Sequence, residues 1–101
     1  MALTKIQLSE LLRVYADMLT QKQRDTLSLY CDCDCSLSEI ASEVGISRQG
    51  VRDAIVKGEA ALTKLEDALH VAALYKQMSQ AIDAGDEQAL YDIAKRYVSK
   101  E

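Results

Sequence analysis

Apolar residues recur every three or four positions along most of this chain, the spacing of amphipathic α-helices. The first such run predicts a helix over about residues 5–18, with an apolar face of Ile6, Leu8, Leu11, Leu12, Tyr15, Met18 and Leu19. Thr20 and Gln23 then have the spacing of a capping box, so a second helix is predicted to begin at Gln21. Its inner face is predicted to be Leu27, Tyr30 and Cys31.

A third and a fourth helix follow with a sharp turn between them. Ser36 and Glu39 form a second capping-box pattern, which opens a short helix whose buried side is Leu37, Ile40, Ala41 and Val44. Gly45 is expected to end that helix in a left-handed conformation, and Ser47 to cap the next one, which buries Val51 and Ile55. The stretch SLSEIASEVGISRQGVRDAI is therefore typical of a helix-turn-helix.

The exposed N-terminus of the second helix in such a motif can enter a major groove of DNA. Arginine can pair with guanine edges and glutamine with adenine, whereas Lys22 and Arg24 at the start of the second predicted helix of the chain suit phosphates. The alternative is that these charges form an ordinary solvated face. The candidate nucleic-acid-binding residues are Lys22, Arg24, Ser47, Arg48, Gln49, Arg52 and Lys57.

Beyond residue 57 the apolar positions form a longer stripe, comprising Leu62, Leu65, Leu69, Val71, Ala72, Leu74, Tyr75, Met78 and Ile82. A helix this apolar needs a partner: it folds back on the first helix or pairs with a second copy. We predict a homodimer through residues 62–82. Residues 83–86 predict a turn before a last amphipathic helix, with Asp86 as its cap. We expect a helix-turn-helix domain over residues 1–66 and a C-terminal helical extension for oligomerisation or packing over residues 67–101.

Composition supports an all-α fold, because the 101 residues include no proline and only four glycines. No apolar run is long enough to cross a membrane, and the N-terminus lacks the pattern of a secretory signal, so a cytoplasmic protein without membrane insertion is expected. The net charge of −4 repels a phosphate backbone at long range, so nucleic-acid binding requires a local basic surface.

The tract YCDCDCS places three cysteines at alternate positions, residues 31, 33 and 35. Three thiols fall short of the four ligands of a structural zinc site, and His70 is distant in sequence. The flanking aspartates disfavour the thiolate form that a metal needs. A solvated acidic loop is the preferred interpretation, with metal or redox sensing and catalysis as alternatives. We expect no metal and no cofactor, and the chain lacks the motifs of an enzyme.

Two segments carry a resemblance to a known family: Met18 to Arg24, and SLSEIASEVGISRQGV at residues 36–51. Together with similarity through His70, they resemble the YlxM-like family of small bacterial helix-turn-helix proteins over roughly residues 10–72. The segments are similar, less closely, to region four of primary sigma factors. The resemblance implies an accessory or regulatory role in the signal recognition particle pathway, with its GTPase as the expected protein partner and DNA or RNA as the ligand. Gly50 and the cysteine tract depart from the family pattern.

Overall fold

The computed structural model describes residues 3–99, which contain six α-helices and no β-strand. A short 3-10 turn at Ala16–Met18 extends the first helix. The helices are α1 (Lys5–Tyr15), α2 (Gln21–Cys31), α3 (Leu37–Val44), α4 (Arg48–Leu69), α5 (Val71–Asp83) and α6 (Glu87–Val98). The predicted all-α fold, a helix-turn-helix with additional C-terminal helices, is confirmed. Within residues 3–99, no helix combines the length and apolar character needed to cross a lipid bilayer.

Side-chain caps fix where the helices begin. Both predicted capping boxes are present: the N–H groups of Gln23 and Glu39 donate to the hydroxyls of Thr20 and Ser36, and each carboxamide or carboxylate accepts in return. A third box, at Thr4 and Gln7, opens α1 and was not predicted. These reciprocal bonds satisfy backbone donors that the first helical turn leaves without partners.

The chain divides into two compact units, Met1–Leu69 and His70–Glu101. The division falls three residues after the predicted boundary at residue 66, and the assignment of functions to the two parts stays a prediction. In the first unit, α4 packs against α1, α2 and α3. The buried apolar side chains of this unit are Leu8, Leu12, Tyr15, Leu19, Leu27, Ile40, Val51, Ile55 and Leu62.

Two members of the predicted apolar face of α1 are not in the core, which corrects that prediction. Ile6 is 73% exposed and Met18 is 67% exposed. Ile6 precedes the buried Leu8 by two residues, which turns its side chain about 160° away around the helix. Met18 lies in the 3-10 turn, where the register of α1 has ended.

The stripe beyond residue 57 does not lie on one helix. The chain breaks at His70, whose φ of 55° is in the left-handed region, so α4 ends at Leu69 and α5 starts at Val71. His70 therefore lies between two helices. The apolar stripe had predicted that it lies on one helix. The predicted homodimer interface over residues 62–82 would therefore have to cross this break.

The second unit is a helical hairpin in which α5 packs against α6. Gly85, with φ of 65°, makes the turn, and Asp86 Oδ1 accepts the N–H of Ala89 at 2.9 Å, the predicted cap. Of the residues described in this unit, Ala81 and Ile93 are buried apolar side chains.

Candidate nucleic-acid interface

The turn between α3 and α4 exposes the first residues of α4. Gly45 has φ of 80°, and its N–H and that of Ile46 both donate to the Ala41 carbonyl, at 2.9 and 3.2 Å. The chain then reverses within three residues. Ser47 Oγ accepts the N–H of Gly50 at 2.9 Å, so Ser47 caps α4 as predicted.

A shallow groove lies where the N-termini of α3 and α4 meet, with a volume of about 590 Å³. Its lining residues are Ser36, Leu37, Ser38, Ser47, Arg48, Gln49 and Arg52. Arg48 and Arg52 are one helical turn apart, so they project from the same side of α4. Two helix N-termini and two guanidinium groups place positive charge at this surface of an acidic chain.

Four of the seven predicted residues share this groove: Ser47, Arg48, Gln49 and Arg52. Ser36 and Ser38 also line it and were not among the predicted residues. Their signal in the sequence was the capping box at Ser36, which places the start of α3 at the surface. Sequence alone does not show that this end of α3 faces the start of α4.

Two of the carboxylates on α3 and α4, Glu39 and Asp53, are sequence neighbours of residues that line the groove. Gln49 Nε2 donates to Asp53 Oδ1 at 3.0 Å, one turn further along α4. Backbone and side-chain hydrogen bonding with Ser36 holds the pKa of Glu39 below its usual range, so Glu39 stays ionised while it caps α3. Gln49 must therefore release Asp53 before its amide N–H groups can pair with a base.

The other predicted residues lie elsewhere. Lys22 lines a different depression, between α2 and α3, together with Asp25 and Glu43. The Arg24 guanidinium donates to the Ala16 and Leu19 carbonyls, each at 3.4 Å, and to Gln21 Oε1 at 2.7 Å. These bonds tie the end of the α1 region to the start of α2, a structural use that the sequence did not indicate.

Lys57 is exposed on α4, eight residues after Gln49 and four after Asp53. This spacing aligns Lys57 with Gln49 and Asp53 along the helix. It lies about 140° around the axis from Arg52. Lys57 is therefore not one of the residues that line the groove.

The cysteine tract forms a loop held against α1. Lys5 pairs with Asp34 and lies over the Tyr30 ring, 4.7 Å from its centroid. The three thiols are free, and burial together with Asp32 raises the pKa of Cys31 to about 11. Desolvation and the charge of Glu39 raise the pKa of Cys35 as well. Within residues 3–99 no group of three or more Cys, His, Asp or Glu side chains is arranged to hold a metal ion.

We expect Cys33→Ser combined with Cys35→Ser to change the free energy of unfolding by less than about 0.5 kcal/mol, because Cys33 is exposed and Cys35 only partly covered. In this double variant Cys31 remains as the single thiol. Its raised pKa predicts alkylation by iodoacetamide at pH 8 at least about tenfold slower than in the same variant unfolded in urea. Mass spectrometry follows the reaction. Stoichiometric metal in wild-type protein prepared without chelator, lost in the double variant, would contradict this prediction.

Comparison with known proteins agrees with this geometry. The family model of UPF0122, described as "Putative helix-turn-helix protein, YlxM / p13 like", matches residues 3–99. A UPF0122 protein of Lacticaseibacillus casei is 42% identical over 77 residues, covering 76% of this chain and 68% of the relative. One from Halalkalibacterium halodurans is 39% identical over 88 residues, covering 83% and 81%.

A third relative, the UPF0122 protein of Mycoplasma capricolum, is 47% identical over 66 residues, covering 65% of this chain and 58% of the relative. No solved structure matches the chain significantly. The family description names a helix-turn-helix protein and no catalytic activity. The match over residues 3–99 and the extent of the relatives' similarity show that this chain belongs to the UPF0122 family of YlxM / p13 like helix-turn-helix proteins.

Proposed function

We propose that this protein is a cytoplasmic regulator that binds nucleic acid through the start of α4. The observation that carries the proposal is the groove in which Arg48 and Arg52 lie beside the N-termini of α3 and α4. Helix N-termini and guanidinium groups both favour phosphate oxygens. A DNA or RNA backbone supplies such oxygens in a continuous row.

The residues of the groove suit different parts of a nucleic acid. Ser47 and Ser38 offer hydroxyls at the groove wall, where phosphates would lie. Arg48 and Arg52 can each bond two acceptors of a guanine edge or a phosphate. Gln49 can pair with adenine after it releases Asp53. This division makes Arg48, Gln49 and Arg52 the residues that read sequence.

The charge of the first unit limits how strongly it binds. Residues 1–69 contain eight Lys and Arg residues against eleven Asp and Glu residues. Long-range attraction is therefore weak, and binding depends on a small number of local contacts. With about three phosphates neutralised, the logarithm of the binding constant should fall with the logarithm of salt concentration with a slope of about −3.

A second candidate function is a protein-interaction module whose partner is the signal recognition particle GTPase, as the YlxM-like resemblance implies. The depression between α2 and α3, about 670 Å³ in volume, favours this candidate. It places Lys22 beside Asp25 and Glu43, with Leu29 and Val44 as apolar neighbours. Mixed charge around an apolar centre is typical of a protein-binding surface.

We further propose that the protein acts as a homodimer, so that two copies of α4 contact one nucleic acid. Two-fold symmetric proteins with this motif bind two half-sites spaced by whole turns of the double helix. Joining two weak sites raises the overall affinity without a new contact. A homodimer would in this way offset the small number of basic groups in each groove.

The proposed function is tested by what co-purifies with the native protein before and after nuclease treatment. Nucleic acid lost on nuclease treatment, together with salt-dependent binding of labelled fragments, is the expected result. Retention of the targeting GTPase after nuclease treatment, with no binding of DNA or RNA at low salt, would favour the second candidate instead.

A Lys22 variant distinguishes the two candidate functions. Lys22→Ala removes at most one phosphate contact, so it should weaken binding to all sequences alike and reduce the salt slope by about 1. Fluorescence anisotropy over a range of salt concentrations measures both effects. If Lys22→Ala instead leaves nucleic-acid binding unchanged and releases a protein partner, the depression between α2 and α3 is the functional surface.

A further inference from the structure

The hairpin of α5 and α6 exposes large apolar side chains that its own packing leaves uncovered. Ile82 is 64% exposed, Tyr91 is 61% exposed and Val98 is 85% exposed, while Val71 and Tyr75 are about half-exposed. Two short helices that bury little apolar surface do not form a stable unit alone. This exposed surface therefore needs a partner.

The exposed side chains form one stripe on each helix. Val71, Tyr75 and Ile82 are spaced by four and seven residues, which places them within about 40° of one another around α5. Tyr91 and Val98, seven residues apart, lie within about 20° of one another on α6. We call these two stripes together the hairpin face.

Both stripes lie on the same side of the hairpin. Ala81 is the buried residue of α5 and Ile93 is the buried residue of α6. Viewed from the N-terminus of each helix, the exposed stripe lies clockwise from the buried residue. The angle is about 100° in α5 and about 150° in α6. A short turn makes the two helices antiparallel. In an antiparallel pair, rotation in the same sense brings both stripes to one side, so the hairpin face is continuous.

Charge is separated along the hairpin. The end at the turn carries three carboxylates, Asp83, Asp86 and Glu87. Lys95 and Arg96 lie in the last turn of α6, about 12 Å further along that helix from Glu87. One end of the hairpin is therefore acidic and the other is basic.

We propose that the hairpin face is the homodimer interface and that it pairs with the same face of a second copy in antiparallel orientation. Two kinds of two-fold axis can bring this face onto itself. An axis along the helices stacks the acidic turn of one copy on the acidic turn of the other. An axis across the helices places each acidic turn near the basic end of the partner, so charge complementarity selects this second arrangement.

The resulting dimer is a four-helix arrangement in which α5 packs on the partner's α5 and α6 on the partner's α6. The interface rests on the homodimer proposed above but not on nucleic-acid binding. It also replaces the predicted interface over residues 62–82, because it uses α6 and none of α4.

Sedimentation equilibrium of the full chain without nucleic acid tests the interface. Ile82→Glu and Tyr91→Glu should each raise the dimer dissociation constant by about 100-fold or more, because each buries an unpaired carboxylate. Both residues are exposed within the chain, so the monomer fold should not change, which circular dichroism checks. Gln80→Glu, on the far side of α5 from the hairpin face, is the matched control and should leave the constant unchanged.

A charge exchange tests the orientation. Asp83→Lys should weaken the dimer by about threefold, although a cation suits the C-terminus of α5 and strengthens the helix itself. Adding Lys95→Glu should restore wild-type affinity, because the charges at positions 83 and 95 have then exchanged sign. A wild-type chain that stays monomeric at high micromolar concentration, a dimer insensitive to both Glu variants, or a double exchange that fails to restore affinity would each overturn the proposal. Absence of nucleic-acid binding would overturn only the proposed function, since these measurements contain none.

Discussion

Replacing Arg48 and Arg52 together by alanine should weaken nucleic-acid binding by about 30-fold or more. Each arginine that bonds a base edge with two N–H groups contributes about 1–3 kcal/mol, and both lie in the groove between α3 and α4. Single variants should lose sequence preference at different positions of the site. Anisotropy titrations at low salt with fragments of genomic DNA and of structured RNA measure the loss.

Arg13→Ala provides the matched control for this prediction. Arg13 is an exposed arginine in the last turn of α1 and is not among the residues that line the groove, so its removal costs the same charge as either single variant but no groove contact. Binding should weaken only slightly. Equal binding by wild type and the Arg48/Arg52 double variant would remove the groove as the nucleic-acid site and leave the protein-interaction candidate.

The helix starts were predictable from the sequence because they depend on local chemistry. A side-chain oxygen that accepts the N–H three residues later is a contact within one turn, and four such contacts, at Thr20, Ser36, Ser47 and Asp86, occur where they were expected. The left-handed conformation of Gly45 also depends on local chemistry, since few other residues adopt φ of 80° without strain. Local rules therefore placed the helix-turn-helix correctly.

The break at His70 could not be predicted in this way. Neither glycine nor proline marks it, and histidine in the left-handed region is uncommon. The apolar spacing continues through residue 70 without interruption, so periodicity alone indicates one helix. The left-handed conformation lies at the division between the two units, which the pattern of apolar residues does not mark.

The candidate site was predictable only where its residues share a helix. Arg48, Gln49 and Arg52 follow from the exposed start of α4, whereas Ser36 and Ser38 join them through the packing of α3 on α4. Arg24 has a second role that its charge did not indicate. Its guanidinium donates to backbone carbonyls at the end of the α1 region, and its contact with phosphate stays a prediction.

The largest expected effect on stability is at Gly58, on the face of α4 that packs against α2. A Cβ atom built at Gly58 would lie 2.7 Å from Leu27 Cδ1, 3.1 Å from Cδ2 and 3.2 Å from Cγ. Leu27 is 1% exposed and has little room to move. Gly58→Ala should therefore cost about 1–3 kcal/mol in overpacking, against a gain of about 1 kcal/mol in helix propensity.

The 2.7 Å contact places the overpacking cost in the upper part of this range, so we expect a net loss of about 1–2 kcal/mol in the free energy of unfolding of Gly58→Ala, measured by urea denaturation. Gly50→Ala on the same helix is the control. There the added Cβ meets the Ser47 hydroxyl at 3.2 Å and no buried side chain at less than 3.5 Å, so no loss of stability is expected and a gain of up to about 1 kcal/mol in helix propensity should remain.

A double-mutant cycle isolates the contact between α2 and α4. Leu27→Ala alone leaves a cavity and should cost about 2–5 kcal/mol, but in the Gly58→Ala background the new methyl group fills part of that space. The cost of Leu27→Ala should then be smaller by about 1 kcal/mol or more. Additive costs, or a Gly58→Ala variant as stable as wild type, would show that α2 and α4 are not packed as closely as Gly58 and Leu27 indicate.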